Sequence, residues 1–274
     1  MRPSISGQSG VSVSVVMCTY NGAAFVAEQL QSILQQTYPL KEILVFDDAS
    51  TDETVAILQT IAAHHSLIRL HFNTTNIGFT RNFEQAMLAA TGDAIAITDQ
   101  DDIWKNTKIE KMMAAWRPGV PMIYCDSVRF SKNPFLDAKL PYRYKRYEGN
   151  DARKLFLFNT VSGHALMIKR TFLQVVLPFH SEVMYDWWMA VVACYHGGVQ
   201  YLPEVLVYQR LHTTNTSMYA ETNFDKKKYK AHFKQMLIEA YYSVELIKRY
   251  YTFLRRAFKI VSKELFKTFK EKRL

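Results

Sequence analysis

The feature that most constrains this sequence is a pattern repeated four times: a short apolar run, a polar turn, then apolar residues at helical spacing. The apolar runs lie at residues 13–17, 43–46, 67–72 and 94–97. Helices are predicted after them from about residue 25, from the turn at Ser50 to about His64, over 80–90 and over 105–116. Parallel strands need long crossover connections, which are usually helices. The pattern therefore predicts an α/β fold with a Rossmann-like, mostly parallel sheet and helices on both faces.

Later segments extend this prediction. Further strands are expected at residues 120–125, 160–168 and 199–207, and a helix over 185–195. Ser50 and Glu53 have the spacing of a capping box for the second helix. The segment 131–149 contains prolines mixed with Tyr, Arg and Lys, so it is either a lid or binding loop, or an ordinary surface loop.

Polar side chains follow the ends of the predicted strands. They are Thr19, Tyr20, Asp47, Asp48, Asn76, Arg81, Asp99 and Asp101. Ligands of open α/β sheets bind beyond the carboxyl ends of the strands, so these residues predict a binding site. The sequence has neither the glycine-rich fingerprint of classical dinucleotide-binding folds nor a P-loop, which disfavours those two chemistries.

The segment Thr98-Asp99-Gln100-Asp101-Asp102 places three carboxylates within four residues. Carboxylates this close repel one another unless a cation or hydrogen-bond donors hold them. Their predicted use is to bind Mg²⁺ or Mn²⁺, which take oxygen ligands and leave positions for substrate phosphates. The alternative is an acidic turn that caps the following helix.

Three polar positions in the second half of the chain are further candidates. Asp186, beside two tryptophans, is either a general base with a raised pKa or the N-cap of a helix. His164 is either a phosphate or acceptor contact or a core histidine. Arg210 and His212 follow a predicted strand, where they could neutralise phosphate or complete a metal shell.

The distribution of charge divides the chain. Residues 1–220 carry 19 basic and 19 acidic side chains, so this part is neutral. Residues 221–274 carry 15 basic and 6 acidic side chains, which account for the whole net charge of +9. A basic nucleic-acid-binding body is therefore excluded, and we predict a domain over 1–220 with a basic amphipathic helical extension over 221–274. That extension suits an anionic membrane surface, or it packs its apolar face on the domain.

Three scattered cysteines, a polar N-terminus and the lack of a long apolar window predict a cytoplasmic protein, peripheral on the inner face of the membrane if the extension binds lipid.

With these residues in place, the chain resembles inverting glycosyltransferases of family 2, which have the GT-A fold. Its motifs are most similar to the bacterial branch that adds rhamnose and related sugars to surface polysaccharides. The matching segments, in the family's order, are residues 13–22, 46–52, 76–82, 90–93, 99–104, 186–188 and 210–212. Residues 221–274 lie outside the resemblance.

The resemblance implies a donor site. Tyr20 and Asp48 would hold the nucleotide base and Asp99 would face the ribose. The full set implied to bind the donor is Thr19, Tyr20, Asn21, Asp48, Asn76, Arg81, Asp99 and Gln100. The donor would be a nucleoside diphosphate sugar of the UDP or dTDP type.

The resemblance also implies the catalytic groups. Asp101 would bind Mn²⁺ or Mg²⁺, Asp186 would act as general base, and His212 would contact the metal or the diphosphate. Relatives usually have Tyr-Arg-x-His, whereas Gln209 here separates Tyr208 from Arg210. Supporting roles fall to Asp102, His164, Trp187, Trp188 and Arg210.

The sequence thus predicts metal-dependent inverting transfer of a sugar to a hydroxyl of a glycan or lipid-linked acceptor in cell-surface polysaccharide synthesis. A nucleotidyltransferase could use the same sheet, but Asn21-Gly22-Ala23-Ala24 lacks the basic residues such enzymes usually have near the first strand. Two further interpretations of the sequence are a non-catalytic nucleotide-sugar-binding module and a membrane-interaction protein.

Overall fold

A computed structural model describes residues 10–134, 146–155, 159–179 and 184–212 of the chain. The strands are β1 Val13–Thr19, β2 Glu42–Asp47, β3 Ile68–Phe72, β4 Ala94–Thr98, β5 Ile103–Trp104, β6 Met122–Phe130, β7 Leu166–Lys169 and β8 Val199–Arg210. The α-helices are α1 Val26–Leu34, α2 Thr54–Ala62, α3 Phe79–Ala89, α4 Lys108–Ala115, α5 Leu173–Val176 and α6 Tyr185–Tyr195. The predicted extension over 221–274 and most of the loop 131–149 lie outside the described residues. Within those residues, no helix is long and apolar enough to cross a membrane.

The eight strands form one sheet in the order β3-β2-β1-β4-β7-β6-β8-β5. Strands β3, β2, β1 and β4 are parallel neighbours, and β6 is parallel to β8. Strand β7 is antiparallel to both β4 and β6, and β5 is antiparallel to β8. The prediction of a mostly parallel α/β sheet is confirmed.

The central strands β1, β2 and β4 are buried on both faces because they are apolar at most positions, whereas β3 at the edge of the sheet is largely exposed. Val13, Val15 and Met17 of β1 pack in a cluster with residues of α1 such as Leu30 and Ile33. The intervening Val16 is also fully buried, although successive side chains of a strand point to opposite faces. Helix α3 contacts β1 and β2. The ends of β1, β2 and β4 are thereby fixed side by side, with their following turns at one edge of the sheet.

Several predicted elements differ from those observed. The strand expected over 160–168 is a short 3-10 helix, Gly163–Ala165, followed by β7. The helix expected over 105–116 begins only at Lys108, because Ile103 and Trp104 pair with β8. Strands β6 and β8 run further than predicted, to Phe130 and Arg210.

The predicted capping box is wrong. Helix α2 begins at Thr54, the Glu53 side chain makes no capping hydrogen bond, and the Thr54 N–H donates to Asp52 Oδ1 at 3.0 Å. The Ser50 hydroxyl instead donates a 2.6 Å hydrogen bond to Asp47 Oδ2. Ser50 therefore belongs to the turn after β2 rather than to the helix.

Candidate active site

The turns after β1 and β2 are joined by hydrogen bonds. Asn21 has a positive φ of 49°, which asparagine tolerates better than most residues. Its backbone N–H donates to Ser50 Oγ at 2.8 Å, and its side-chain oxygen accepts from Thr51 N at 2.8 Å. The Thr19 hydroxyl donates to Asp47 Oδ2 at 2.8 Å. In this structure Thr19 and Asn21, both predicted to bind the donor, fix the geometry of the turns.

Gln100, which lies between Asp99 and Asp101, forms two hydrogen bonds with the backbone of Tyr20. Its side-chain oxygen accepts from Tyr20 N at 2.9 Å, and its amide donates to Tyr20 O at 3.1 Å. A Cβ on Gly22 would lie 2.2 Å from Gln100 Oε1, so this approach requires glycine. The Tyr20 side chain is 48% exposed at this edge of the sheet, where its ring is free to meet a flat ligand.

Asp48 is only 2% exposed and organises the loop after β3. Its Oδ1 accepts from Ile77 N and its Oδ2 from Gly78 N, each at 2.9 Å. Asn76 donates to Asp48 O at 3.2 Å, and Arg81 is exposed in the first turn of α3. The structure therefore brings Asp48 and Asn76 together and leaves Arg81 outside these contacts.

The carboxylates after β4 form a cluster that includes a histidine. Ligand atoms of Asp99, Asp102 and His164 all lie within 4.8 Å of one another. Burial, with the charges of Asp101 and Asp186, raises the pKa of Asp99 to about 7. Burial and the neighbouring Asp101 and Asp99 raise the pKa of Asp102 as well. Asp102 Oδ2 and His164 Nε2 are buried and have no hydrogen-bond partner among the described residues.

A buried lysine, Lys108, lies beside this cluster. Its Nζ is 3.3 Å from the centre of the Trp104 ring and donates to His164 O at 3.3 Å. Burial lowers the Lys108 pKa to about 7, against the opposing effect of Cys125 and the acidic residues. Burial likewise lowers the pKa of His164 to about 3, so its ring is neutral. A neutral, buried His164 fits the core-histidine alternative and a cation ligand better than a phosphate contact.

Arg210 and His212 both contact Asp101. Arg210 Nε donates to Asp101 O at 3.1 Å, and Arg210 N donates to Asp102 Oδ1 at 3.3 Å. His212 Nε2 lies 2.6 Å from Asp101 Oδ2. The two residues proposed as metal ligands, Asp101 and His212, are thus brought together, in direct hydrogen-bond contact.

Asp186 lies in the first turn of α6 and is 8% exposed. Its Oδ1 accepts from Asn159 Nδ2 and its Oδ2 from Gly163 N, each at 3.0 Å. Burial raises the Asp186 pKa to about 6, although these donors and Trp187 N oppose the rise. The group is therefore largely charged at neutral pH, yet basic enough to accept a proton.

The two tryptophans after Asp186 are part of the core. Trp187 is 8% and Trp188 3% exposed. Their indole N–H groups donate to Leu155 O at 2.7 Å and Val176 O at 2.9 Å. Both rings are buried and help to fix α6, the helix that carries Asp186.

The sequence analysis missed three residues of this site. Asn159 and Gly163 hold the Asp186 carboxylate, and Lys108 faces the acidic cluster. Lys108 is four residues before the buried Met112, so it lies on the buried face of α4. The signal in the sequence was that Lys108, a charged residue, stands at a position where the helical pattern places apolar residues. No comparable signal marks Gly163, whose requirement is visible only in the structure, where a Cβ would lie 2.5 Å from the Tyr185 hydroxyl.

The fold and the carboxylates at its strand ends define a GT-A protein. Solved structures share this fold. Residues 1–349 of TarS of S. aureus, solved with UDP-GlcNAc, are 17% identical with a TM-score of 0.66 over 84% of this chain and 67% of that chain. The mannosyltransferase PcManGT of Pyrobaculum calidifontis, solved with GDP-Man and Mn²⁺, is 23% identical with a TM-score of 0.60 over 84% of this chain and 69% of PcManGT.

The chain belongs to the family described as Glycosyl transferase family 2, whose sequence model matches residues 14–177. EpsE of Bacillus subtilis strain 168, a proposed glycosyltransferase, is 42% identical over 107 residues, which is 39% of this chain and 38% of EpsE. TuaG of the same organism, a proposed teichuronic acid biosynthesis glycosyltransferase, is 34% identical over 101 residues, 37% of this chain and 40% of TuaG. The chain thus spans about two fifths of the length of these relatives.

Proposed function

We propose that this protein is a metal-dependent, inverting glycosyltransferase that moves a sugar from a nucleoside diphosphate sugar to an acceptor hydroxyl. The observation that carries the proposal is the pairing of Asp186 with the acidic cluster. Asp186 is buried with a pKa of about 6, and its charge reaches Asp99, the first carboxylate after β4. Gly163, whose N–H binds the Asp186 carboxylate, is followed directly by His164 of the acidic cluster, so the proposed base and the proposed cation site are neighbours at the carboxyl ends of the strands.

The donor class is supported by the family and by the site. TarS and PcManGT share the fold and were solved with UDP-GlcNAc and GDP-Man. In this chain the exposed ring of Tyr20 suits a nucleobase, and Asp99 lies next to Gln100, which holds the Tyr20 backbone. Family membership favours glycosyl transfer over the nucleotidyl transfer that the same sheet could serve. A glycan or lipid-linked acceptor in surface polysaccharide synthesis fits TuaG, the relative named for teichuronic acid biosynthesis.

The acidic cluster fits a divalent cation. The Asp99 and Asp102 carboxylates, with that of Asp101 close by, provide the hard oxygen ligands that Mn²⁺ and Mg²⁺ prefer, and the neutral His164 adds an imidazole that Mn²⁺ also accepts. The buried, unpartnered Asp102 Oδ2 and His164 Nε2 also need a partner. Asp101 would hold the ion, with Asp99, Asp102, His164 or His212 completing its shell. When bound, such an ion supplies a Lewis acid that neutralises charge on the leaving diphosphate.

In the proposed reaction the chain's own groups orient the reactants and move one proton. The acceptor oxygen forms a bond to the anomeric carbon as the bond from that carbon to the diphosphate oxygen breaks. The bonding electron pair leaves with the nucleoside diphosphate. The proton of the acceptor hydroxyl passes to the Asp186 carboxylate, which Asn159 and Gly163 hold in place. Attack opposite the leaving group inverts the anomeric centre.

The test of the base is the Asp186→Asn variant. We expect turnover to fall by about 10²- to 10⁴-fold, the usual contribution of general-base catalysis, with donor affinity retained. Wild-type turnover should also decline below about pH 6, where Asp186 is protonated. Steady-state kinetics with a nucleotide-sugar donor would measure both. Asp93→Asn is the matched control, because Asp93 precedes β4 at the opposite end of the strand and bonds Ser12. Near-normal turnover of Asp186→Asn would refute the assignment.

The test of the cation is the Asp101→Ala variant. We expect it to lose the part of UDP binding that depends on Mn²⁺, because that binding requires an ion between the carboxylate and the diphosphate. Isothermal calorimetry with UDP, with and without Mn²⁺, would measure the difference. An unchanged affinity in the presence of Mn²⁺ would count against Asp101 as the ligand, and Asp93→Asn again serves as the control.

A further inference from the structure

Two residues at the start of α1 contact the end of β8. Phe25 immediately precedes α1 and Glu28 lies in its first turn, three positions later, so both occupy one face of the helix. Arg210 ends β8 and His212 follows two residues on. Glu28 Oε2 forms an ion pair with Arg210 Nη2. The Phe25 ring stacks on the His212 ring, with centroids 4.5 Å apart and an interplanar angle of 27°.

Arg210 and His212 in turn hold Asp101 at two points. Arg210 Nε binds its main-chain oxygen, and His212 Nε2 meets its carboxylate at 2.6 Å. The guanidinium carbon of Arg210 also lies 4.6 Å from the centre of the Phe130 ring and 5.3 Å from that of Phe25. The end of β8 therefore fixes both the backbone and the carboxylate of Asp101, and α1 in turn fixes the end of β8.

We infer that Glu28 and Phe25 are positioning residues for Asp101. The inference rests on the proposed function, in which Asp101 holds the cation. Without Glu28, Arg210 would remain beside the carboxylates of Asp101 and Asp102, since its Nε binds Asp101 O and its backbone N binds Asp102 Oδ1. The guanidinium would then compete with the cation for them. Glu28 keeps that positive charge directed away from the acidic cluster, and Phe25 keeps the His212 ring against Asp101.

This geometry differs from that of an ordinary surface ion pair. Exposed pairs typically contribute about 0 to 1 kcal/mol to stability. The Glu28 side chain is 57% exposed, but that of Arg210 is only 13% exposed and lies among aromatic rings and the Asp101 backbone. Loss of the Glu28 charge should therefore alter the site more than the stability of the fold.

The experiment uses the full-length Glu28→Gln variant, which keeps the side chain's size and removes its charge. Mn²⁺ binding to the protein with UDP would be measured by electron paramagnetic resonance. We expect the Mn²⁺ dissociation constant to rise about 10-fold, as for loss of other groups that orient a metal ligand. Phe25→Leu should act in the same direction. Glu204→Gln is the control, because it removes an ordinary surface ion pair, in which the side chains of Lys111 and Glu204 are 46% and 40% exposed.

A second measurement does not depend on the metal. Hydrogen exchange of the backbone amides in residues 99–104 and 206–212, without Mn²⁺ or UDP, should be faster in Glu28→Gln and unchanged in Glu204→Gln. The melting temperature of Glu28→Gln should stay close to that of the wild type, which excludes general unfolding as the cause.

The outcomes separate this inference from the proposed function. Wild-type Mn²⁺ affinity in Glu28→Gln, together with weakened binding in Asp101→Asn, would overturn the positioning role and leave the proposed function intact. If Asp101→Asn binds Mn²⁺ like the wild type, the metal role of Asp101 fails, and hydrogen exchange then decides. Faster exchange in Glu28→Gln would sustain the positioning role, and unchanged exchange would overturn it.

Discussion

Asp186, which we propose as the general base, should also affect the stability of the fold. Its ordinary pKa of 3.8 is raised to about 6 in the folded protein, chiefly by burial. The folded state therefore binds more protons than the unfolded state between about pH 4 and pH 6. Stability contributed by this group falls as pH rises through that window, since the charged carboxylate is the unfavourable form. At neutral pH the cost is about 3 kcal/mol, from about two pKa units at 1.36 kcal/mol each.

Asp186→Asn should remove this cost. The free energy of unfolding of the variant, relative to the wild type, should increase by up to about 3 kcal/mol between pH 4 and pH 7. Urea denaturation at a series of pH values would measure it. Asp93→Asn should show the opposite trend, because hydrogen bonds from Ser12 lower the pKa of Asp93 and stabilise its charged form. A pH-independent difference for Asp186→Asn would contradict the raised pKa.

At the scale of elements, the four strand-helix units could be predicted because β1, β2 and β4 are continuous apolar runs, as buried parallel strands are. Because the apolar run of β4 ends at Thr98, the acidic residues 99–102 could also be placed at the end of a strand. Ile103–Trp104 could not be predicted as a strand, because two residues carry no periodicity and their partner β8 is about a hundred positions away. Gly163–Ala165 was assigned to a strand since a 3-10 turn and the start of β7 share one apolar run.

The contacts that shape the site were less predictable than its carboxylates. Glu28 and Arg210 are separated by 182 positions, and neither the helical pattern of α1 nor the alternation of β8 indicates that they meet. The burial of Lys108 depends on where α4 begins, which Trp104 decides by pairing with β8. Local patterns thus identified which residues lie at the carboxyl edge, whereas long-range packing determines which of them touch.

At the scale of the whole molecule, the charge distribution suggests how the protein meets its acceptor. Residues 1–220 are neutral, and the entire +9 lies in the C-terminal segment outside the described residues. That segment places apolar residues at helical spacing between basic ones, a pattern typical of helices that lie on anionic membranes. We propose that the enzyme is peripheral on such a surface, where a lipid-linked acceptor would be concentrated.

Four basic residues of this segment provide the test: Arg255, Arg256, Lys259 and Lys263, each changed to Gln in the full-length chain. Each basic residue near an anionic surface contributes about 1 kcal/mol, so binding should weaken by about 10³-fold. Flotation with vesicles containing phosphatidylglycerol, at low and high salt, would measure the bound fraction. The control changes four exposed basic residues of the body to Gln: Arg69, Lys111, Arg117 and Lys154. Because both variants lower the net charge equally, an equal loss in the two, or none in the first, would refute a specific role for the segment.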